Sequence, residues 1–247
     1  MAQLVLRGRI MPASNATFLA ELDGREVVYK PVAGERPLWD FPDGTLADRE
    51  VAAYLVAEAS GWDVVPRTWL DEGPHGPGML QEWQEVDPDE DAVTLVRAGR
   101  VPEGWLSVVD GLDDRDHEVT LVHEDTPALR RLAVLDVVLN NADRKGGHVL
   151  VTPDGRRLGV DHGVTLHHEP KLRTVLWGWA GSPLTEEETA VVERVRAAVR
   201  GPLGELLEQH LSELELTALE RRCERLLRVG ALPVPGRGWP SIPWPPF

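Results

Sequence analysis

Leu139-Asn-Asn-Ala-Asp-Arg-Lys-Gly-Gly-His-Val-Leu-Val151, followed by Gly159-Val-Asp-His-Gly163, is the stretch on which the fold turns. An apolar helix runs into Asp143-Arg144, a short polar turn leads into a β-rich segment, and an Asp-x-Gly at Asp161 closes the unit. The two acids lie 18 positions apart, each at the edge of an apolar segment, so a β-hairpin between them would bring them together. That pattern suits a site where one carboxylate orients a hydroxyl and another holds a metal on phosphates. Neither element suffices alone. Asp-Arg also occurs at Asp48-Arg49 and Asp114-Arg115, and Asp-x-Gly is common in turns.

Working outward toward the N-terminus, residues 3–10 and 17–22 read as short strands joined by a turn at Pro12-Ala-Ser-Asn15. Asp23-Gly24 is a hairpin turn leading into Glu26-Val-Val-Tyr-Lys30, which Pro31 ends or interrupts. Residues 32–46 read as a loop, and a helix is predicted over about 47–60 with Gly61 as its stop. Val64–Leu70 and Gly78–Glu85 read as further strands. The acidic stretch 86–125 is expected to be irregular, with a helix near 90–99. Thr126-Pro127 caps the helix that precedes the opening motif, with Leu132, Leu135, Val138 and Leu139 at helical spacing. Thr185 and Glu188 form a capping box, and 204–229 reads as one Leu-rich helix. The last fifteen residues, with several Pro and with Trp239 and Trp244, read as an extended tail that docks on the domain or on a partner.

In this order the parts have mechanical uses. Backbone N–H groups of Ser14, Asn15, Ala16 and Thr17 would cover phosphates, Lys30 would supply a point charge, and Glu50 would hold that lysine from the helix. The bland reading of Lys30 is an exposed strand lysine, set against an apolar flank, Val27-Val-Tyr29, that argues for an inward position.

Val28-Tyr-Lys-Pro31, Arg49-Glu-Val-Ala-Ala-Tyr-Leu55, Val65-Pro-Arg-Thr68, Asn141-Ala-Asp-Arg144 and Val160-Asp-His-Gly163 together resemble the phosphatidylinositol 3-/4-kinase-like branch of the protein-kinase fold, HipA-type kinases included. Within it the chain most resembles a small actinobacterial group, over about residues 5–230. The resemblance implies an α+β, two-lobed fold: an antiparallel-sheet N-lobe over 1–86, a mainly helical C-lobe over 87–232, and a tail over 233–247. It implies ATP with Mg²⁺, or Mn²⁺, in the cleft. Asp143 would orient or deprotonate the acceptor hydroxyl, with Arg144 as a structural or phosphate-facing partner. Asp161 would hold the metal, and Lys30 would bind phosphate. Gln81, Glu82 and Trp83 would form the hinge facing adenine. Relatives place Asn five residues after the catalytic Asp; here that position is His148, whose imidazole suits Mn²⁺ or Zn²⁺ better than Mg²⁺, so it binds a softer metal or none.

Composition narrows the partners. Acidic residues (41) outnumber Lys and Arg (26), giving a net charge of −15, which argues against nucleic acid and stable membrane binding. The acceptor is then a protein or small-molecule hydroxyl. Cys223 is the single cysteine, read as core filler, and the absence of a signal-like N-terminus or a long apolar run leads to the expectation of a soluble cytoplasmic protein. Nine Trp are most simply core residues, although Trp177-Gly-Trp179 lies where kinases build an acceptor site. Three other readings stand beside a kinase: a pseudokinase that regulates a partner, an AMP-transferase, and an interaction module working through the tail.

Overall fold

The computed structural model describes residues 4–11, 13, 15–36, 38–41, 45–236 and 240–247. Five antiparallel strands, β1 (Val5–Arg9), β2 (Phe18–Leu22), β3 (Arg25–Pro31), β4 (Thr68–Gly73) and β5 (Gly76–Glu82), form one sheet in the order β1-β2-β3-β5-β4. The β2–β3 hairpin closes at Asp23 and Gly24, both with positive φ (51° and 76°), the geometry that Asp-Gly turns favour. Alternation puts Val27 and Tyr29 into a small core with Leu4, Ala20 and Leu80. Lys30 therefore points to the opposite face, toward the rest of the molecule.

Helix α1 (Leu46–Ser60) is capped by Thr45, whose hydroxyl accepts from Asp48 N–H, and ends at Gly61 in the left-handed region (φ 71°). Although it falls within the first 86 residues, it buries Ala52, Ala53, Val56 and Ala57 in the larger core. That core also takes Leu132, Leu135 and Leu139 of α2 (Pro127–Leu139), Val191, Val192 and Val195 of α3 (Glu186–Val199), and Leu219, Cys223 and Leu226 of α5 (Glu213–Val229). The short helix α4 (Pro202–Leu207) packs against α3 and α1. The result is a two-lobed, kinase-like α+β architecture with α1 as the bridge.

Three expectations need correction. The helix near 90–99 is instead strand β6 (Val93–Arg97), which joins β7 (Trp105–Leu112) and β8 (Glu118–Glu124) in a three-stranded antiparallel sheet ordered β6-β8-β7. Val93, Thr94 and Val96 are β-branched, and the strand finds its partner in Thr120-Leu-Val-His123. The strand expected from Val64 begins only at Thr68, after Pro66. The single helix over 204–229 is two, because Ser212 and Glu215 form a second capping box that restarts the chain as α5. Between the acids, β9 (Val149–Val151) and β10 (Arg157–Gly159) do form the expected antiparallel hairpin. No helix among the described residues is long and apolar enough to cross a membrane.

Candidate active site

Lys30 Nζ lies 2.7 Å from Glu50 Oε1 and 2.7 Å from Asp161 Oδ1. β3, α1 and the segment after β10 thus meet at one ammonium group. Burial works against that charge, but Asp161 and Glu50 override it and hold the Lys30 pKa well above the usual lysine value. Asp161 is shifted the other way: the facing Lys30 cation holds its carboxyl well below the usual range, against the cost of burial. Nearly half of the Asp161 side chain (47%) still reaches solvent, so part of the pair's attraction is screened. Glu50 is 2% exposed, and its second oxygen accepts the His162 N–H at 2.8 Å, pinning the Asp-x-Gly backbone to α1. Asp161 itself has φ 60°, a strained conformation for a non-glycine residue and one that recurs at functional sites.

The loop holding Asp143 is built on a buried brace. Asn141 Oδ1 accepts the Asp143 N–H at 3.0 Å, and Asn141 Nδ2 donates to Asp136 Oδ1 at 2.9 Å. Arg144 is fully buried. It bonds both oxygens of Asp136 at 2.9 Å, the His148 carbonyl at 2.9 Å, the Val160 carbonyl at 3.0 Å, and His162 Nε2 at 2.7 Å. These contacts occupy all five guanidinium donors. Arg144 was expected among the catalytic residues; the structure makes it a positioning residue that locks the Asp143 loop to the hairpin, with no donor left for phosphate.

Asp143 is three-quarters buried, with Arg173 3.4 Å from Oδ1 and Lys145 Nζ 3.5 Å from Oδ2. Sequence reasoning missed both cations. Lys145 stood in plain view two positions after Asp143 and was read only as turn; nothing in the sequence marks Arg173, which the fold brings 30 residues back to the loop.

His148 connects the acids. Its Nδ1 is 3.0 Å from the Asp143 carbonyl oxygen and its Nε2 is 3.3 Å from Asp161 Oδ2. A carbonyl only accepts, so Nδ1 carries the proton. Burial pushes the His148 pKa down, which favours the neutral ring. A neutral ring with Nδ1–H turns a bare Nε2 lone pair toward a carboxylate, a repulsive pairing that a cation between them would relieve. Among the described residues no three His, Cys, Asp or Glu side chains form a ready-made cage. A donor set of one carboxylate and one imidazole fits a divalent ion that takes its remaining ligands from phosphates and water.

The other expected residues divide. Asn15 lines a cavity of about 20 Å³ together with Lys30, Glu35, Glu50 and Asp161. That volume holds about one water. Glu35 closes this rim by accepting the N–H groups of Leu46 and Ala47, both at 2.9 Å. The Ala16 N–H is spent on the Gly34 carbonyl (3.3 Å) and does not face outward as a phosphate cover, while the Thr17 hydroxyl bonds the Asn15 carbonyl (3.3 Å). Ser14 lies outside the described residues. In the hinge, Gln81 is buried with its amide on Thr68, the Glu82 N–H bonds the Arg67 carbonyl, and the Trp83 N–H bonds the Glu26 carbonyl. The N–H groups of Glu82 and Trp83 are therefore used inside the sheet, because β5 continues its pairing through Trp83.

A small antiparallel sheet set on a larger helical body, with a Lys–Glu pair and two acidic loops at the seam, defines a two-lobed protein of kinase-like fold. No protein-family model matches the chain. Protein Rv2133c of Mycobacterium tuberculosis is 50% identical over 258 aligned positions, covering 99% of this chain and 92% of that protein. The chain belongs to the family of Rv2133c. Phosphatidylinositol 4-kinase gamma 6 of Arabidopsis thaliana is 25% identical over 197 positions, which span 74% of this chain and 30% of the plant protein. A solved structure, that of the Helicobacter pylori proinflammatory kinase CtkA, aligns over 91% of both chains with a TM-score of 0.49 and 11% identity.

Proposed function

We propose that this protein is an ATP-dependent phosphotransferase that moves the γ-phosphate to a hydroxyl of a protein or small molecule. The observation that carries the proposal is the meeting of Lys30, Glu50 and Asp161 within 2.7 Å contacts, with His148 linking Asp161 to the Asp143 loop. The likeness to a plant phosphatidylinositol 4-kinase supports the same reading.

Lys30 releases Asp161 and takes the phosphates; Glu50 keeps its ammonium aimed at them. Asp161 and His148 would hold Mg²⁺ or Mn²⁺, which when bound supplies charge neutralisation on the phosphate oxygens. Asp143, held by Asn141 and the Arg144 brace, orients the acceptor hydroxyl and receives its proton. Arg173 and Lys145 flank that carboxylate and balance the charge that builds on the transferring group.

Transfer of radiolabel from γ-labelled ATP, absent in Asp143→Ala, tests the reading; label moving only from the α-position assigns AMP transfer instead. A second reading, a nucleotide-binding pseudokinase, is favoured by the spent N–H groups of Ala16, Glu82 and Trp83. It is distinguished by ATP binding without any transfer or hydrolysis.

A further inference from the structure

Residues 240–247 are laid against the site. The Ser241 carbonyl accepts from the Thr174 N–H at 3.0 Å and from Trp177 Nε1 at 2.7 Å. The Pro246 carbonyl accepts the Gly146 N–H at 2.8 Å. Between them Ile242 packs on the main core, while Trp244 is 82% exposed. The Phe247 ring covers Gly146 so closely that a Cβ there would stand 2.4 Å from a ring carbon.

The two anchors are not arbitrary. Thr174 directly follows Arg173, and Gly146 directly follows Lys145; these are the two residues whose side chains flank the Asp143 carboxylate. The chain at 173–175 also runs beside the Asp143 loop: Arg144 bridges Thr174 in parallel, with bonds from Arg144 N–H to the Arg173 carbonyl and from Val175 N–H to the Arg144 carbonyl, both at 3.1 Å. Ser241 therefore extends this pairing on the far side of Thr174. All three bonds that hold the segment reach main-chain carbonyls, those of Ser241 and Pro246, so they recognise backbone rather than particular side chains, while the chain between them bends at Ser241–Ile242 and Trp244–Pro245.

We propose that the groove between the 143–148 loop and the 173–177 segment is an acceptor site for a peptide, and that residues 240–247 occupy it in the resting protein as an intramolecular stand-in. This rests on the phosphotransfer reading above. When the segment lifts, a Ser or Thr of an incoming peptide takes its place; its hydroxyl oxygen bonds the γ-phosphorus as the bond to the β-phosphate oxygen breaks, its proton passes to Asp143, and ADP leaves. A tethered segment competes at an effective concentration on the order of millimolar, so a free peptide is largely excluded until it is released.

The test compares the full chain with its Ile242→Asp/Phe247→Asp variant in two assays. In the first, a fluorescent peptide of the sequence Pro240 to Phe247 is titrated into each. In the second, label from γ-labelled ATP is followed into a mixed Ser/Thr peptide pool, with ATP affinity measured alongside. The expected result is about tenfold tighter peptide binding and about tenfold more label with the variant, at equal ATP affinity, because the internal competitor is gone. Equal labelling by two forms that both bind ATP, or equal peptide binding, overturns the proposal. If neither form binds ATP, the phosphotransfer reading fails, and peptide binding alone decides the groove. Should the double variant not fold, Phe247→Ala, which removes a half-exposed ring, replaces it with the same expected directions.

Discussion

Lys30 and Asp161, 131 residues apart in sequence, stand 2.7 Å apart in space, and their contact fastens the sheet lobe to the loop that follows β10. Each partner shifts the other's ionisation toward the charged form. Under the proposed function a nucleotide inserts its phosphates into this pair, and the contact would then be both its binding site and the latch that entry must open.

Replacing Lys30 with Met should weaken ATP binding by about tenfold or more, the scale of losing a charge-assisted contact. It should also destabilise the fold by ~3 kcal/mol, because Glu50 is left buried without its cation. Adding Glu50→Gln should recover part of the stability and none of the affinity. Calorimetric ATP titration and urea unfolding of the single and double variants check both halves; parental affinity in Lys30→Met would detach the lysine from the nucleotide.

Asp136→Ala removes the counter-charge of Arg144, both partners being fully buried. An uncompensated guanidinium at that depth should cost ~3–5 kcal/mol in urea unfolding. A loss under about 1 kcal/mol would mean that water or another acceptor takes over and that the brace is dispensable.

The brace also shows where sequence reading reached and where it stopped. The Asp23-Gly24 turn, the Thr126-Pro127 cap, the Thr185–Glu188 box and the helix stop at Gly61 were legible because each is written in neighbouring residues. The pairing of Lys30 with Glu50 was expected from the resemblance to the kinase fold and is present in the structure. The role of Arg144 was not legible, since only the fold shows that Asp136, His162 and two carbonyls surround it. Strand β6 was missed because five residues with a weak period fit either helix or strand until β8 supplies the partner. That the Glu82 and Trp83 N–H groups are spent in the sheet was not legible, because nothing in Gln81-Glu-Trp83 announces that the ladder runs on to the Glu26 carbonyl.

Changing His148 to Asn exchanges an imidazole for a hard oxygen donor. The preference for Mn²⁺ over Mg²⁺ in ATP binding should fall by about tenfold, following ligand softness. An unaltered ratio would remove His148 from the metal's coordination and leave it as a strut between Asp143 and Asp161.

Cys223 reports on the core. Burial pushes its thiol up to about 11, above the value it would have in the unfolded chain. The raised value means that the native state favours the protonated thiol and loses that stabilisation as pH rises above the unfolded value. At pH 8 a thiol reagent should leave the native protein unlabelled and label one site per chain in denaturant. Rapid labelling of the native protein would show that α5 opens locally.

The most direct measurement is a crystal structure with Mn²⁺ and a non-hydrolysable ATP analogue, read by anomalous scattering. The account expects a manganese peak at the Asp161 carboxylate, within reach of His148 Nε2, with Lys30 on the phosphates and the γ-phosphate facing Asp143. Nucleotide and metal found elsewhere on the molecule, with the Lys30–Asp161 contact still closed, would contradict it.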